Sequence, residues 1–203
     1  MIALANLVIR DAHPHDHPAA AEVLAAAFGD SPVVGWAQPN PAARAAQLGF
    51  YFTALLRHTG VHGTIRLATA DTRIVGVALW YRHTAGETGL HDLLPANGDS
   101  GVPESLHRLA RLEHLLRKRR PVEPHHYLAY LGVATGEQNR GIGTTLVSEY
   151  HDTLSAAGMP AYLEANDPRN RALYARLGYA DHGAAITGHG GPPVYPMRWT
   201  PGR

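Results

Sequence analysis

The chain has 203 residues, of which 45% are hydrophobic, and its 18 basic side chains nearly cancel its 17 acidic ones. This suits a single domain with one core over residues 1–203, and it argues against a field that attracts nucleic acid or an anionic membrane. The chain contains no cysteine, which excludes disulfides, thiolate catalysis and cysteine-bound zinc.

Apolar periodicity and turn residues predict five elements in the first part of the chain. Asn40 and Pro41 have the pattern of an N-cap followed by proline at the first helical position, and Gly60 is expected to close the helix that they begin. An arm that is nearly all apolar, from residue 73 to 81, is typical of a central strand. The predicted elements are strand 7–10, helix 18–28, helix 41–57 and the hairpin strands 64–70 and 73–81.

The second part predicts a helix, then alternating strands and helices, and finally two strands. The predicted elements are helix 103–119, strand 127–133, helix 141–157, strand 159–165, helix 168–178 and strands near 179–187 and 194–200. Residues 127–165 form a β-α-β unit, whose two strands should be parallel and joined by a right-handed crossover. Together with the hairpins, this predicts an α+β fold of three layers, α/β/α, with a mixed central sheet and helices on both faces.

The most informative segment joins predicted strand 127–133 to the helix that follows it. It reads Gln-Asn-Arg-Gly-Ile-Gly from residue 138 to 143. Glycines let the backbone curl so that successive N–H groups converge, and these donors then lie at a positive helix N-terminus, where a pyrophosphate fits. Arg140 and Thr144 can add a charge and a hydroxyl to such a site.

Alternative roles for these glycines are weaker or less specific. The glycines can simply form a tight turn and let the helix pack closely. A Rossmann loop requires Gly-x-Gly-x-x-Gly, but residue 138 is Gln and residue 146 is Leu. A Walker A loop fails because the segment has no Gly-Lys followed by Ser or Thr.

A family resemblance gives a further interpretation. Residues 131–146, with Gln138, Gly141 and Gly143, resemble motif A of the GCN5-related N-acetyltransferases, the GNAT family. Residues 163–179 resemble motif B of the same family, in which a strand leads into a helix that ends Tyr-x-x-x-Gly-aromatic. The two motifs occur in the family's order, with one helix and one strand between them. The resemblance implies the GNAT fold, an N-acetyltransferase activity and acetyl-CoA as co-substrate.

The resemblance also implies which residues bind acetyl-CoA. The backbone of the motif A strand would pair with the pantetheine arm, and the N–H groups of residues 138–144 would hold the pyrophosphate. Asn166 is an alternative to Asn170 near the start of the motif B helix, because many relatives place this asparagine earlier. The cofactor-binding residues implied are Leu131, Gly132, Val133, Gln138, Asn139, Arg140, Gly141, Ile142, Gly143, Thr144, Asn170 and Tyr174.

In the implied reaction, a neutral amine attacks the thioester carbonyl directly, in a ternary complex, and two protons must be moved. Tyr174 matches the family tyrosine proposed to protonate the departing thiolate; packing on the sheet is the alternative. Many relatives carry a carboxylate where this chain has Tyr130, so Glu164 is the nearest acidic candidate for the base, with a structural salt bridge as the alternative. His125 and His126 are weaker candidates for the base.

The predicted acceptor is a primary amine of a small molecule, with a non-catalytic CoA-binding module or a protein N-acetyltransferase as alternatives. Trp36, Trp80 and Tyr81 are candidates for its pocket, although core packing is the default for a strand tryptophan. The helix predicted over 103–119 is expected to cover the acceptor side.

Several partners and sites are not expected. No metal site is predicted, because the 14 histidines lack ligand spacing. The basic run 117–120 suits a helix C-terminus rather than nucleic acid. Since no stretch approaches the ~20 apolar residues of a membrane helix and no signal peptide is recognised, a soluble cytoplasmic protein is expected. A homodimer through the C-terminal strands is left open.

Overall fold

The computed structural model describes residues 6–84, 103–188 and 190–202. In these ranges the strands are β1 (Leu7–Asp11), β2 (Thr64–Ala70), β3 (Arg73–His83), β4 (His125–Val133), β5 (Ala161–Ala165), β6 (Ala180–Asp181) and β7 (Tyr195–Trp199). The helices are α1 (His17–Phe28), α2 (Pro32–Ala37), α3 (Pro41–His62), α4 (Glu104–Arg117), α5 (Ile142–Ala156) and α6 (Pro168–Arg176), with a short 3₁₀ helix (Pro14–Asp16) before α1.

These strands form one mixed sheet in the order β1-β2-β3-β4-β5-β7-β6. Helices pack on both of its faces, as expected for three layers. One face buries Leu24 of α1 and Phe52 of α3, and the other buries Leu146 and Tyr150 of α5. Trp80 of β3 is fully buried on the α5 side, where its ring stacks on Tyr150 at 4.2 Å. The α+β fold with three layers is therefore confirmed. Among the described residues, no helix is both long and apolar enough to cross a membrane.

The helix α3 begins as its sequence predicts but ends later. The Asn40 side chain accepts hydrogen bonds from the N–H groups of Ala42 and Ala43, which satisfies two donors of the first turn. The expected stop at Gly60 is wrong, because the helix continues to His62. A Cβ atom at Gly60 would lie 3.1 Å from the His17 ring, so this glycine allows α1 and α3 to approach closely.

Two further expectations about elements need correction. The strand predicted near 179–187 is reduced to β6 and one isolated bridge between Ile186 and Val194. Gly183 has a φ of +92°, which an extended strand cannot contain, and it turns the chain away after β6. The helix α2 was not predicted; it begins with Pro32 at its first turn.

The sheet opens between β4 and β5, its parallel pair. Only His126 with Ala161 and Tyr127 with Tyr162 are paired, so the two strands diverge beyond Tyr127. The Ala134 N–H donates to Val75 O on the β3 side. Because backbone groups alternate in direction along a strand, those of Leu131 and Val133 face the opening. This opening positions the site described next.

Candidate active site

The turn between β4 and α5 forms one wall of a groove of about 610 Å³, here called the outer groove. Asn139 and Gly141 have φ values of 62° and 83°, which curl the backbone just before α5 begins at Ile142. Thr145 donates the first helical bond, to Gly141 O, so the N–H groups ahead of it have no helical partner. Such donors at a positive helix end suit a phosphate, as the sequence indicated. The outer groove is lined by Leu131, Gly132, Val133, Gln138, Gly143 and Thr144, among others.

The basic side chains that line the outer groove do not include Arg140, the one expected from the sequence. Arg140 forms an ion pair with Glu137 at 2.8 Å and is not among the lining residues. Arg169 and Arg176 of α6 line the groove instead, and Arg169 donates to Asn139 Oδ1 at 2.8 Å. These two arginines are seven residues apart on one helix and therefore lie on the same face. This spacing could have indicated a basic face from the sequence, but it was overlooked.

Three of the residues predicted to bind acetyl-CoA shape the turn and the packing around it. Gln138 Nε2 donates to Val133 O at 3.3 Å, which ties the turn to the end of β4. The Ile142 side chain is buried in the core and contributes only its backbone to the turn. A Cβ atom at Gly132 would lie 2.9 Å from a Leu24 methyl group, so this glycine lets α1 pack directly on β4.

A second cavity of about 170 Å³, here called the inner cavity, lies under α2, α3 and α4. Its walls are mainly apolar and aromatic, including Phe28, Tyr51, Phe52, Leu109, Leu112 and Tyr130. The helix α4, which was expected to cover the acceptor side, covers this cavity; that the acceptor binds here stays a prediction. None of Trp36, Trp80 and Tyr81, the predicted candidates for the acceptor pocket, lines the inner cavity. Trp80 is buried on the opposite face of the sheet, Tyr81 hydrogen-bonds Thr59 at 2.6 Å, and Trp36 packs with Leu112 and Leu116 outside the lining.

The outer groove and the inner cavity meet at a small set of shared residues. These residues are Phe28, Ser31, Leu131, Asn166, Asn170 and Tyr174. Asn170 Nδ2 donates to Asn166 Oδ1 at 2.6 Å, and Asn166 Nδ2 donates to Ser31 Oγ at 3.1 Å. Both asparagine candidates therefore lie at the junction and form one chain of hydrogen bonds across it.

Tyr174 lies at this junction with only 8% of its surface exposed. Burial, and to a smaller extent the nearby Asp167, raises the pKa of its phenol well above the ordinary value. The hydroxyl is therefore protonated at neutral pH, which is the state that a proton donor needs. Its ring also packs edge-on against Tyr179, so the packing alternative is observed and the catalytic role stays a prediction.

Glu164 lines the inner cavity, although its side chain is only 4% exposed. Arg120 Nε donates to its Oε1 at 3.1 Å, and the Tyr127 hydroxyl donates to its Oε2 at 2.7 Å. Glu164 is thus a cavity carboxylate held by an ion pair, so the salt-bridge alternative is observed and its role as the base stays a prediction. Sequence reasoning missed Arg120, which it assigned to a basic run.

The remaining candidates for the base are less well placed. The Tyr130 and Tyr51 hydroxyls form a hydrogen bond of 2.7 Å on the cavity wall, and burial raises the pKa of both phenols. His125 Nδ1 lies 2.8 Å from Glu123 O, and His126 Nδ1 lies 3.0 Å from the Tyr150 hydroxyl. Burial lowers the pKa of both imidazoles, and neither ring lines the cavity.

Comparison with known proteins agrees with this geometry. A family model described as the acetyltransferase (GNAT) family matches residues 21–179. The chain is similar to the crystal structure of histone acetyltransferase HPA2 and related acetyltransferase from Corynebacterium glutamicum, with 26% identity, a TM-score of 0.72 and 98% of each chain covered.

Two more distant structures share the fold. A mosquito arylalkylamine N-acetyltransferase like 5b has 13% identity and a TM-score of 0.71, covering 96% of this chain and 99% of that one. The PaiA N-acetyltransferase of Thermoplasma acidophilum, solved with coenzyme A, has 13% identity and a TM-score of 0.61, covering 96% and 98%.

Proposed function

Because the chain belongs to the GNAT family of acetyltransferases, we propose that it transfers the acetyl group of acetyl-CoA to a primary amine of a small molecule. The transfer is direct: both substrates bind together, and the amine attacks the thioester carbonyl. The observation that carries the proposal is the junction of the outer groove with the inner cavity, beside the point where β4 and β5 diverge.

The outer groove has the donors that acetyl-CoA requires. The turn from residue 138 to 144 offers N–H groups to the pyrophosphate, and Arg169 and Arg176 offer positive charge. The backbone of Leu131 and Val133 faces the opening, where the amide groups of the pantetheine arm can pair with it. When bound there, acetyl-CoA supplies the activated thioester, and its acyl end lies toward the junction.

Two side chains are assigned to the protons. Tyr174 holds its phenolic proton at the junction and gives it to the sulfur of the departing thiolate. Glu164, in the inner cavity, accepts the proton that leaves the amine, through a water molecule. A positioned acid or base of this kind contributes about 10²–10⁴ in rate.

The inner cavity supports a small acceptor with an apolar body. Its volume of about 170 Å³ and its aromatic walls leave room for a compact amine, and α4 covers it. An open groove, as a protein N-terminus or lysine would need, is less compatible with this cover.

The test is release of CoA, measured by thiol detection, with acetyl-CoA and a panel of small amines. For Tyr174→Phe we expect kcat to fall by about 10²-fold with little change in CoA affinity, because only the proton donor is lost. Tyr179→Phe is the matched control: this tyrosine is also buried and touches Tyr174, but its hydroxyl bonds His151 at 3.1 Å, away from the junction.

Two results would contradict the proposal. CoA binding measured by calorimetry without turnover of any amine would indicate a non-catalytic module. A Tyr174→Phe enzyme as active as the Tyr179→Phe control would remove the role of Tyr174.

A further inference from the structure

Arg120 follows α4, and its side chain is buried, unlike those of the basic residues before it. Residues 117–119 of the basic run are exposed, whereas the Arg120 side chain is only 5% exposed. Its guanidinium lies over the Tyr127 ring, with Cζ 4.2 Å from the ring centroid. A charge buried to this extent is retained only where its hydrogen bonds are satisfied.

The guanidinium closes a ring of hydrogen bonds around the Glu164 carboxylate. Arg120 Nε donates to Glu164 Oε1 at 3.1 Å, and Arg120 Nη2 donates to the Tyr127 hydroxyl at 2.9 Å. That hydroxyl in turn donates to Glu164 Oε2 at 2.7 Å. Both carboxylate oxygens therefore have a hydrogen-bond donor, and these two donors fix the plane of the carboxylate relative to the inner cavity.

The same guanidinium also binds α4. Arg120 Nη1 lies 2.9 Å from Glu113 Oε1, and Nη2 donates to Glu113 Oε2 at 3.1 Å. Glu113 belongs to α4 and lines the inner cavity. One cation thus lies between two carboxylates whose side chains are only 12% and 4% exposed, and it joins the helix that covers the cavity to the strand that carries Glu164. Burial opposes its charge, but Glu164, Tyr127 and Glu113 together raise the pKa of Arg120 well above its ordinary value.

We propose that Arg120 is a positioning residue for the acetyl transfer: it orients Glu164 toward the acceptor amine and couples that orientation to the seating of α4. The proposal rests on the proposed function. Arg120 is not among the residues that line the inner cavity, so it acts through Glu164 and not on the substrate. A displacement of a catalytic group by about 1 Å can cost about 10²-fold in rate, which sets the scale of the effect.

The central test is a double-mutant cycle between Arg120→Lys and Glu164→Gln. Lysine keeps the positive charge but cannot hold Glu164, Tyr127 and Glu113 in one planar fork. We expect Arg120→Lys to lower kcat by about 10- to 100-fold in the native background, on the scale set by such displacements. In the Glu164→Gln background, Arg120→Lys should have no further effect on kcat, because the group that it positions is absent.

Arg119→Lys is the matched control, since Arg119 is the adjacent, exposed arginine. It should leave kcat, KM and the melting temperature unchanged. The CoA affinity of Arg120→Lys, measured by calorimetry, should equal that of the native enzyme, which shows that the variant is folded. Additive effects of the two substitutions on kcat would overturn the proposal and leave Arg120 a purely structural role.

Tyr127→Phe keeps the ion pairs of Arg120 intact and removes the hydroxyl that accepts from Arg120 Nη2 and donates to Glu164 Oε2. This variant tests the proposal if Arg120→Lys does not fold. We expect kcat to fall by about tenfold, because the ring that positions the charged carboxylate loses a hydrogen bond. An unchanged kcat would overturn the proposal. If the native enzyme releases no CoA with any amine, the proposed function is contradicted as well. If the native enzyme is active but the variants keep its kcat, only the role of Arg120 is contradicted.

Discussion

At the scale of single residues, Gly141 sets the backbone geometry of the turn that is proposed to bind the coenzyme. Its φ of +83° lies in the left-handed region, where a side chain costs about 1–2 kcal/mol. We expect Gly141→Ala to destabilise the fold by about this amount and to weaken CoA binding at least severalfold, because relaxation of the turn moves the N–H groups that face the phosphates. Chemical denaturation and calorimetry with CoA measure the two effects.

Gly158 provides the control for this prediction at the other end of α5. Its φ is +63°, and a Cβ atom there would meet nothing within 4 Å. Gly158→Ala should therefore destabilise the fold to a similar extent without changing CoA affinity. Equal CoA affinities in the two variants would show that residues 138–144 do not hold the pyrophosphate.

The residues predicted from the sequence were those whose role follows from local backbone geometry. Gln138, Gly141 and Gly143 could be identified because their spacing alone marks a turn that opens a helix. Arg120 could not, since nothing in a run of basic residues indicates which one turns inward. That choice depends on Glu113 and Glu164, which come from α4 and β5 and meet it only in the folded chain.

At the scale of elements, the wall of the inner cavity depends on one arginine of α3. Arg44 donates to the carbonyl oxygens of Gly29, Gln38 and Pro39, at 2.8, 2.9 and 3.1 Å. These carbonyls flank α2, which contributes Val33, Val34 and Ala37 to the cavity. Arg44 thus fixes a segment whose six-residue helix is too short to be stable alone.

We expect Arg44→Met to raise the amine KM by about tenfold, because three charge-assisted hydrogen bonds that order the cavity wall are lost. The affinity for CoA should change little, since the turn before α5 is untouched. Arg57→Met is the control: Arg57 lies on the same helix and is exposed. Steady-state kinetics with both substrates varied give the two constants, and a parallel loss of CoA affinity would contradict this division of the site.

Long helices and strands with a periodic apolar pattern could be predicted from the sequence. The formation of short elements depends on contacts with residues distant in the sequence. The helix α5 and strand β4 carry continuous patterns, and their bounds differ from prediction by no more than two residues. The strand β6 has two residues and exists only because β7 pairs with it. The walls of the inner cavity could not be identified from the sequence for a related reason: Trp80 alternates with its neighbours on a strand buried on both faces, and the sequence does not say which face holds the cavity.

At the scale of the whole molecule, the sheet explains why the outer groove and the inner cavity meet. β4 is paired with β3 along its length but with β5 only at its start. The opening that results is bordered by core on both faces, so it is held apart by packing. The outer groove and the inner cavity meet at the junction beside this opening, where the transfer is proposed to take place.

The packing that holds this sheet also determines how stability depends on pH. His151 of α5 is buried between Trp199, stacked at 4.0 Å, and the Tyr179 hydroxyl. Burial lowers the pKa of His151 to about 4, and it also lowers the pKa of His17, His125 and His126. The unfolded chain takes up these protons near pH 6.5, whereas the folded chain resists them, so acidification favours unfolding.

We therefore expect the melting temperature to be nearly constant from pH 8 to 7 and to fall as the pH decreases from about 6.5 toward 4. In His151→Gln the decrease should be smaller, because the unfolded state no longer gains that proton, although the lost stacking on Trp199 lowers the melting temperature at pH 7. His114→Gln, at an exposed position of α4, should keep the native pH dependence. Thermal unfolding followed by circular dichroism at each pH makes the comparison. Parallel curves for His151→Gln and the native protein would show that this imidazole is not the main source of acid sensitivity.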